Sequence, residues 1–151
     1  MRYAEGFILD TPLSSIGLKY YPVAASTTIA KGDAVKDNGS GYLTLATDGI
    51  GAAFLGVAHS DADNSAGAAG AITCAVIPPM PNLSFWVKNE SATVAAQTDV
   101  GEIIDLESED GVDVTDVTTS VWGFIVDEID ISAKAVAYAA GGFVKGRFQK
   151  V

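Results

Sequence analysis

A chain of 151 residues holds one domain, and at that length folding buries roughly 68–70% of the surface the unfolded chain exposes, so a full core forms without staples. Nineteen acidic against nine basic side chains leave a net charge of −10, which repels phosphate backbones and anionic lipid and sets nucleic acid and membrane aside as partners. Cys74 is the only cysteine, which excludes an intramolecular disulfide and a cysteine-built zinc site.

The chain opens on Met1-Arg2-Tyr3-Ala4-Glu5, where an early acid interrupts the apolar run that a secretory signal needs. No later stretch approaches the ~20 uninterrupted apolar residues of a membrane span. Residues 1–24 read as an extended N-terminal arm, broken by Pro12, Ser14, Ser15 and Pro22 yet apolar at Tyr3, Phe7, Ile8, Leu9, Tyr20 and Tyr21. Such a segment is no solvated tail. It either packs on its own domain or lies on a neighbouring subunit, adding a strand to a foreign edge.

Residues 25–151 read as an all-β domain, a single β-barrel or sandwich, because short runs rich in Val, Ile, Phe and Thr alternate with Gly, Asp, Asn and Ser clusters. Counting the end of the arm, the predicted strands are Ile16 to Tyr21, Ala34 to Lys36, Tyr42 to Ala46, Phe54 to Ala58, Ile72 to Ile77 and Leu83 to Lys88. They continue with Glu102 to Leu106, Val112 to Thr115, Val121 to Asp127, Lys134 to Tyr138 and Phe143 to Phe148. Asp37-Asn38-Gly39-Ser40-Gly41 and Ser108-Glu109-Asp110-Gly111 supply hairpin turns, since Asn and Gly tolerate positive φ. The Ala-rich stretch Asp61 to Ala71 reads as a loop, because Gly67 and Gly70 and the turn formers Asp63, Asn64 and Ser65 oppose a helix. Gly32-Asp33, Gly41 and Phe54-Leu55 are echoed by Gly101-Glu102, Gly111 and Phe124-Ile125 at a nearly constant offset along the chain. That echo suggests an internal repeat, two similar halves closing one barrel.

Residues that could carry chemistry are few. His59 is the only histidine. A hydrolase would need it as base with Asp61 or Asp63 as orienter, but no Gly-x-Ser-x-Gly elbow supplies a nucleophile, and a strand-end histidine facing solvent is the simpler reading. Residues 99–130 hold eleven acids and no Lys or Arg. Oxygen-rich clusters suit Ca²⁺, yet a calcium loop started at Asp61 has Ala66 and Ile72 where Gly and Glu are required. A solvated acidic face fits better. Residues 131–151 reverse the sign, with Lys134, Lys145, Arg147 and Lys150 and no acid, so the two blocks can pair within one chain or between copies. Gly67-Ala68-Ala69-Gly70 lacks the Lys-Ser/Thr of a phosphate-binding loop. Neither cofactor nor metal is expected, and no catalytic residue is assigned.

Aromatic placement points towards binding. Leu83, Phe85 and Val87 share one face of their strand while Ser84, Trp86 and Lys88 share the other, so Trp86 is a large aromatic on a polar face, of the kind that anchors interfaces. Pro78-Pro79-Met80-Pro81 forbids regular ladder pairing and makes a stiff apolar segment. Phe7, Tyr20, Tyr21 and Trp86 are the expected contact residues. Trp122 alternates with Phe124 and Val126 and is expected in the core.

Taken in order, Ile29-Ala30-Lys31-Gly32-Asp33-Ala34-Val35, Gly41-Tyr42-Leu43, Phe54-Leu55-Gly56-Val57-Ala58 and Ile72-Thr73-Cys74-Ala75-Val76 begin a pattern that covers residues 27–148. It continues through Asp99-Val100-Gly101-Glu102-Ile103-Ile104-Asp105-Leu106, Gly123-Phe124-Ile125-Val126-Asp127 and Val144-Lys145-Gly146-Arg147-Phe148. This ordered series resembles the head decoration proteins of tailed phages. The resemblance implies a compact β-barrel or β-tulip, commonly a homotrimer, made in the host cytoplasm and seated on the outer capsid surface where capsomers meet. The implied partner is the major capsid protein, and the implied role is a non-enzymatic cement that clamps neighbouring capsomers. Alternatives are another virion β-domain, from a head fibre, tail or baseplate, and a carbohydrate-binding β-sandwich with Trp86 and Trp122 stacked on sugar rings.

Overall fold

The computed structural model describes residues 3–11, 17–47, 49–118 and 121–150. The first residue of the expected strand Ile16 to Tyr21 lies outside these, as do Pro12, Ser14 and Ser15 of the arm. The described chain is all-β apart from one short helix and one 3-10 turn at Gln97–Asp99. Its strands are β1 (Ile8–Leu9), β2 (Lys19–Pro22), β3 (Thr27–Ile29), β4 (Ala34–Asp37), β5 (Leu43–Leu45), β6 (Phe54–Ala58), β7 (Ala62–Asn64) and β8 (Thr73–Ile77). They continue with β9 (Phe85–Asn89), β10 (Ile103–Ser108), β11 (Gly111–Val117), β12 (Trp122–Asp130) and β13 (Phe143–Lys150), with α1 (Ala133–Tyr138) before the last strand.

The first half forms a sheet in the order β2-β8-β6-β4-β5, and a parallel bridge from Val23 to Leu43 brings its two edges together. The second half forms the order β9-β13-β12-β10-β11, closed by the parallel pairing of β11 with β9. The two orders are the same. Asn89 pairs with Val112 as Val23 pairs with Leu43, so Asn89 is the counterpart of Val23 and Val112 that of Leu43, close to the offset of the sequence echo. The loop bonds repeat as well. Ala24 N–H donates to Leu43 O at 3.0 Å and Glu90 N–H to Val112 O at 2.8 Å, while Val23 N–H reaches Ile72 O at 3.0 Å and Asn89 N–H reaches Gly142 O at 2.9 Å.

The same turn leads into β4 in the first half and β10 in the second. Asp33 N–H donates to Ala30 O and Glu102 N–H to Asp99 O, both at 3.0 Å, with Gly32 (φ +97°) and Gly101 (φ +94°) in the third position. That position of a type II turn needs positive φ, which is why the glycines recur. The repeat is therefore real. Its halves do not share one barrel, however, for each curls separately, and they meet through packed side chains and single backbone bonds such as Ala34 N–H to Glu109 O rather than a common ladder.

The largest core cluster joins them. Phe54 of the first half lies 4.7 Å, ring to ring, from Phe148 of the second, and Phe7, Phe85 and Phe124 surround Phe148 at 5.2 to 5.6 Å. Trp122 packs at the rim of this cluster against Phe54, as alternation led one to expect. Buried Asp105 accepts from Ile50 N–H (2.6 Å) and Leu106 N–H (2.8 Å), tying the β5–β6 loop to β10. Pro78 to Pro81 forms the link from β8 to β9, with Met80 tucked against the core. A smaller cluster around Val23, Leu43, Cys74 and Val76 fills the first half.

Two expectations need correction. Lys134 to Tyr138 is helical, not a strand: Ser132 caps α1 by accepting the Ala135 N–H, and Ala-rich sequence favours the helix. Within Asp61 to Ala71, Ala62–Asn64 forms β7 and pairs with β3, held by the buried Asn64 amide, which donates to Ala24 O at 2.9 Å and Ala68 O at 3.0 Å.

Candidate interaction surface

The arm lies on its own chain. β1 pairs with β9, Ile8 opposite Trp86 and Leu9 opposite Phe85, and β2 pairs with β8. Two ion clusters pin it: Glu5 meets Lys88, which also holds Glu90 and Asp110 at 3.2 Å, and Asp10 meets Lys145 at 3.0 Å beside Glu128 at 2.7 Å. Burial by itself would lower the Lys88 ammonium, but Glu5, Glu90 and Asp110 hold it above the ordinary lysine range. The acidic and basic blocks of the second half pair within the chain, Arg147 forking onto Asp127 at 3.0 to 3.3 Å.

Of the four expected contact residues, two belong to the interior. Phe7 is 3% exposed and lies in the aromatic knot. Trp86 does point away from the Phe85 face, as alternation requires, yet it is 6% exposed. The outer face is covered: Trp86, Phe143 and Ala135 of α1 form a cluster closed by Tyr3, Ile8 and Ala139, with the Lys145 ammonium 5.9 Å from the indole. Tyr21 is half-buried against the smaller cluster. Tyr20 is 67% exposed and is the one clear surface aromatic of the four.

Sequence reasoning missed a second exposed patch on α1. Tyr138 (47% exposed), Val136 and Ile131 are open to solvent, and a groove of about 440 Å³ runs between Tyr3, Lys134, Ala137 and Tyr138. The signal was present in Ser132 followed by Ala133-Lys134-Ala135, an N-cap before good helix formers.

His59 follows β6 in the wall of a cavity of about 390 Å³, whose lining includes Glu5, Phe7, Leu9, Lys31, Gly32 and Ile77. The two aspartates considered as its orienter are engaged elsewhere. Asp61 accepts the Lys31 N–H at 2.8 Å, and Asp63 accepts from the Ser65 N–H and the Thr28 hydroxyl. Among the described residues no three His, Cys, Asp or Glu side chains converge as a metal site. Burial pushes the Asp33 carboxyl up to about 6 against the pull of the Ala30 N–H, and Glu109, Asp110 and Asp61 push the same way. Burial likewise raises the Cys74 thiol.

No protein-family model matches the chain, and no curated protein matches its sequence.

Proposed function

We propose that this protein is a non-enzymatic structural component of a tailed-phage virion that binds the outer surface of an assembled capsid and clamps neighbouring capsomers. The observation that carries the reading is the ordered series of motifs across residues 27–148, whose pieces fall on turns and strands of two repeated halves. Rigidity supports it. Both halves close on themselves, an aromatic knot joins them, and two ion clusters hold the arm. A stiff molecule loses little entropy on docking.

Exposed Tyr20 and the Tyr138 patch offer apolar contact of the kind that interfaces favour. Presented as a homotrimer on a repeating lattice, modest contacts give high occupancy through avidity. The partner on this reading is the major capsid protein. Co-sedimentation tests it: purified protein is mixed with mature capsids built from the major capsid protein of the same genome. Saturable pelleting in fixed proportion to capsid subunits, with capsids that resist higher temperature, is the expected result. Protein that stays in the supernatant at every concentration overturns the proposal.

A further inference from the structure

The two halves differ at one strand position. In the second half, the edge of β9 that faces away from β13 carries two partners, β11 at Lys88 and Asn89, and β1 at Phe85 and Trp86. In the first half, β2 stands where β9 stands, with Tyr20 the counterpart of Trp86 and Val23 of Asn89. The partner equivalent to β11 is present, as the bridge from Val23 to Leu43. No strand equivalent to β1 pairs with Lys19 and Tyr20 among the described residues.

Register shows which backbone groups this leaves. Val23 N–H donates to Ile72 O, so in an antiparallel ladder Tyr21 and Lys19 also turn their backbone groups towards β8. Tyr20 then turns its N–H and C=O outward. The same alternation, fixed by the bond from Asn89 N–H to Gly142 O, turns those of Trp86 outward, and there β1 takes them.

We infer that the outer edge of β2 at Lys19–Tyr20 is a strand-acceptor site for an extended segment of a partner protein, apolar residues followed by an acid, as in Phe7-Ile8-Leu9-Asp10. The chemistry of the occupant is read from the filled counterpart. There Ile8 and Tyr3 cover Trp86, and Asp10 meets Lys145, whose register partner is Trp86. At the open edge Tyr20 is 67% exposed, and its neighbour Lys19, on the other face of the strand by alternation, is an exposed cation with no ion pair among the described residues, a positive charge at the edge that favours an acidic segment. The arm of a second copy is not the occupant, because its Phe7 is locked in its own aromatic knot and would have to leave it. The site deepens the proposed function and rests on it for the source of the partner, a segment of a lattice subunit.

The test separates the edge from the lattice. A capped peptide of the sequence Glu5 to Thr11 is titrated into ¹⁵N-labelled protein, and the same proteins are then co-sedimented with capsids. The Tyr20 amide is expected to shift and to gain protection from exchange. Tyr20→Pro removes the outward N–H together with the exposed ring and is tolerated on an edge; it is expected to weaken the peptide at least about tenfold, as befits lost edge hydrogen bonds and ring contact. Lys19→Glu, which leaves the backbone untouched, is expected to weaken it about threefold. No response at Tyr20, or wild-type affinity in both variants, overturns the acceptor site whatever the capsid does. Peptide binding at Tyr20 with undiminished pelleting of Tyr20→Pro keeps the edge and overturns the lattice as its partner. Failure of wild-type protein to pellet overturns the capsid reading instead.

Discussion

Asp33 stands where the two halves touch, its neighbour Ala34 donating N–H to Glu109 O at 2.7 Å. Its carboxyl, raised by burial to about 6 from an ordinary 3.8, binds a proton more tightly in the folded chain than in the unfolded one. The stabilisation is thus complete below the unfolded value and is lost as pH rises through the folded one. Asp33→Asn keeps an acceptor for the Ala30 N–H and removes the titration. The Tm of wild type relative to this variant is expected to fall between about pH 4 and about 6.5 and then level off; a difference that stays flat contradicts the assignment. Gly101 tests the repeated turn more simply. A Cβ there meets nothing within 4 Å, so Gly101→Ala reads backbone strain at φ +94° alone. A loss of about 1 to 2 kcal/mol in urea unfolding is expected. At this scale alternation identified the face of Trp86 correctly, but what covers that face comes from Tyr3 and Ala135, far away in sequence, and no local pattern reveals it.

Among the described elements, β1 is the shortest strand, and one neighbouring side chain anchors it. Its two residues give few ladder bonds, while Phe7 beside them contacts Phe85, Phe124 and Phe148. Phe7→Ala is expected to cost about 3 to 5 kcal/mol, the range for emptying a buried aromatic site, and to speed proteolysis within the arm. Unchanged stability would mean that the arm is not part of the folded core. Strands bounded by turn formers were legible because alternation and Gly-rich hairpins mark them: Asp37 Oδ1 accepts from both Gly39 and Gly41 in one such turn. The helix was not. At six residues α1 is too short to show a 3.6-residue period, and its Ala-Val alternation imitates a strand. Similarly β3 and β7, of three residues each, exist through mutual pairing and the Asn64 amide rather than through any apolar run of their own.

For the whole molecule, duplication organises everything else. Spaced glycines and aromatics revealed the repeat in the sequence, yet not that each half closes separately. Closure depends on parallel contacts, Val23 with Leu43 and Asn89 with Val112, between positions too far apart along the chain for any local pattern to mark. The asymmetry between the halves was equally hidden. One half wears Tyr3, β1 and α1 over its outer aromatic face; the other leaves Tyr20 bare. A rigid pseudo-symmetric body with one dressed and one open side suits attachment to a repeating lattice, which is the central claim.

Imaging tests that claim most directly. Capsids of the same genome, incubated with the protein and reconstructed by electron cryomicroscopy, are expected to carry two-lobed density at regular outer positions between capsomers, with the Tyr20 side turned to the shell. Bare capsids at saturating protein, or density confined to a tail or fibre, would contradict it.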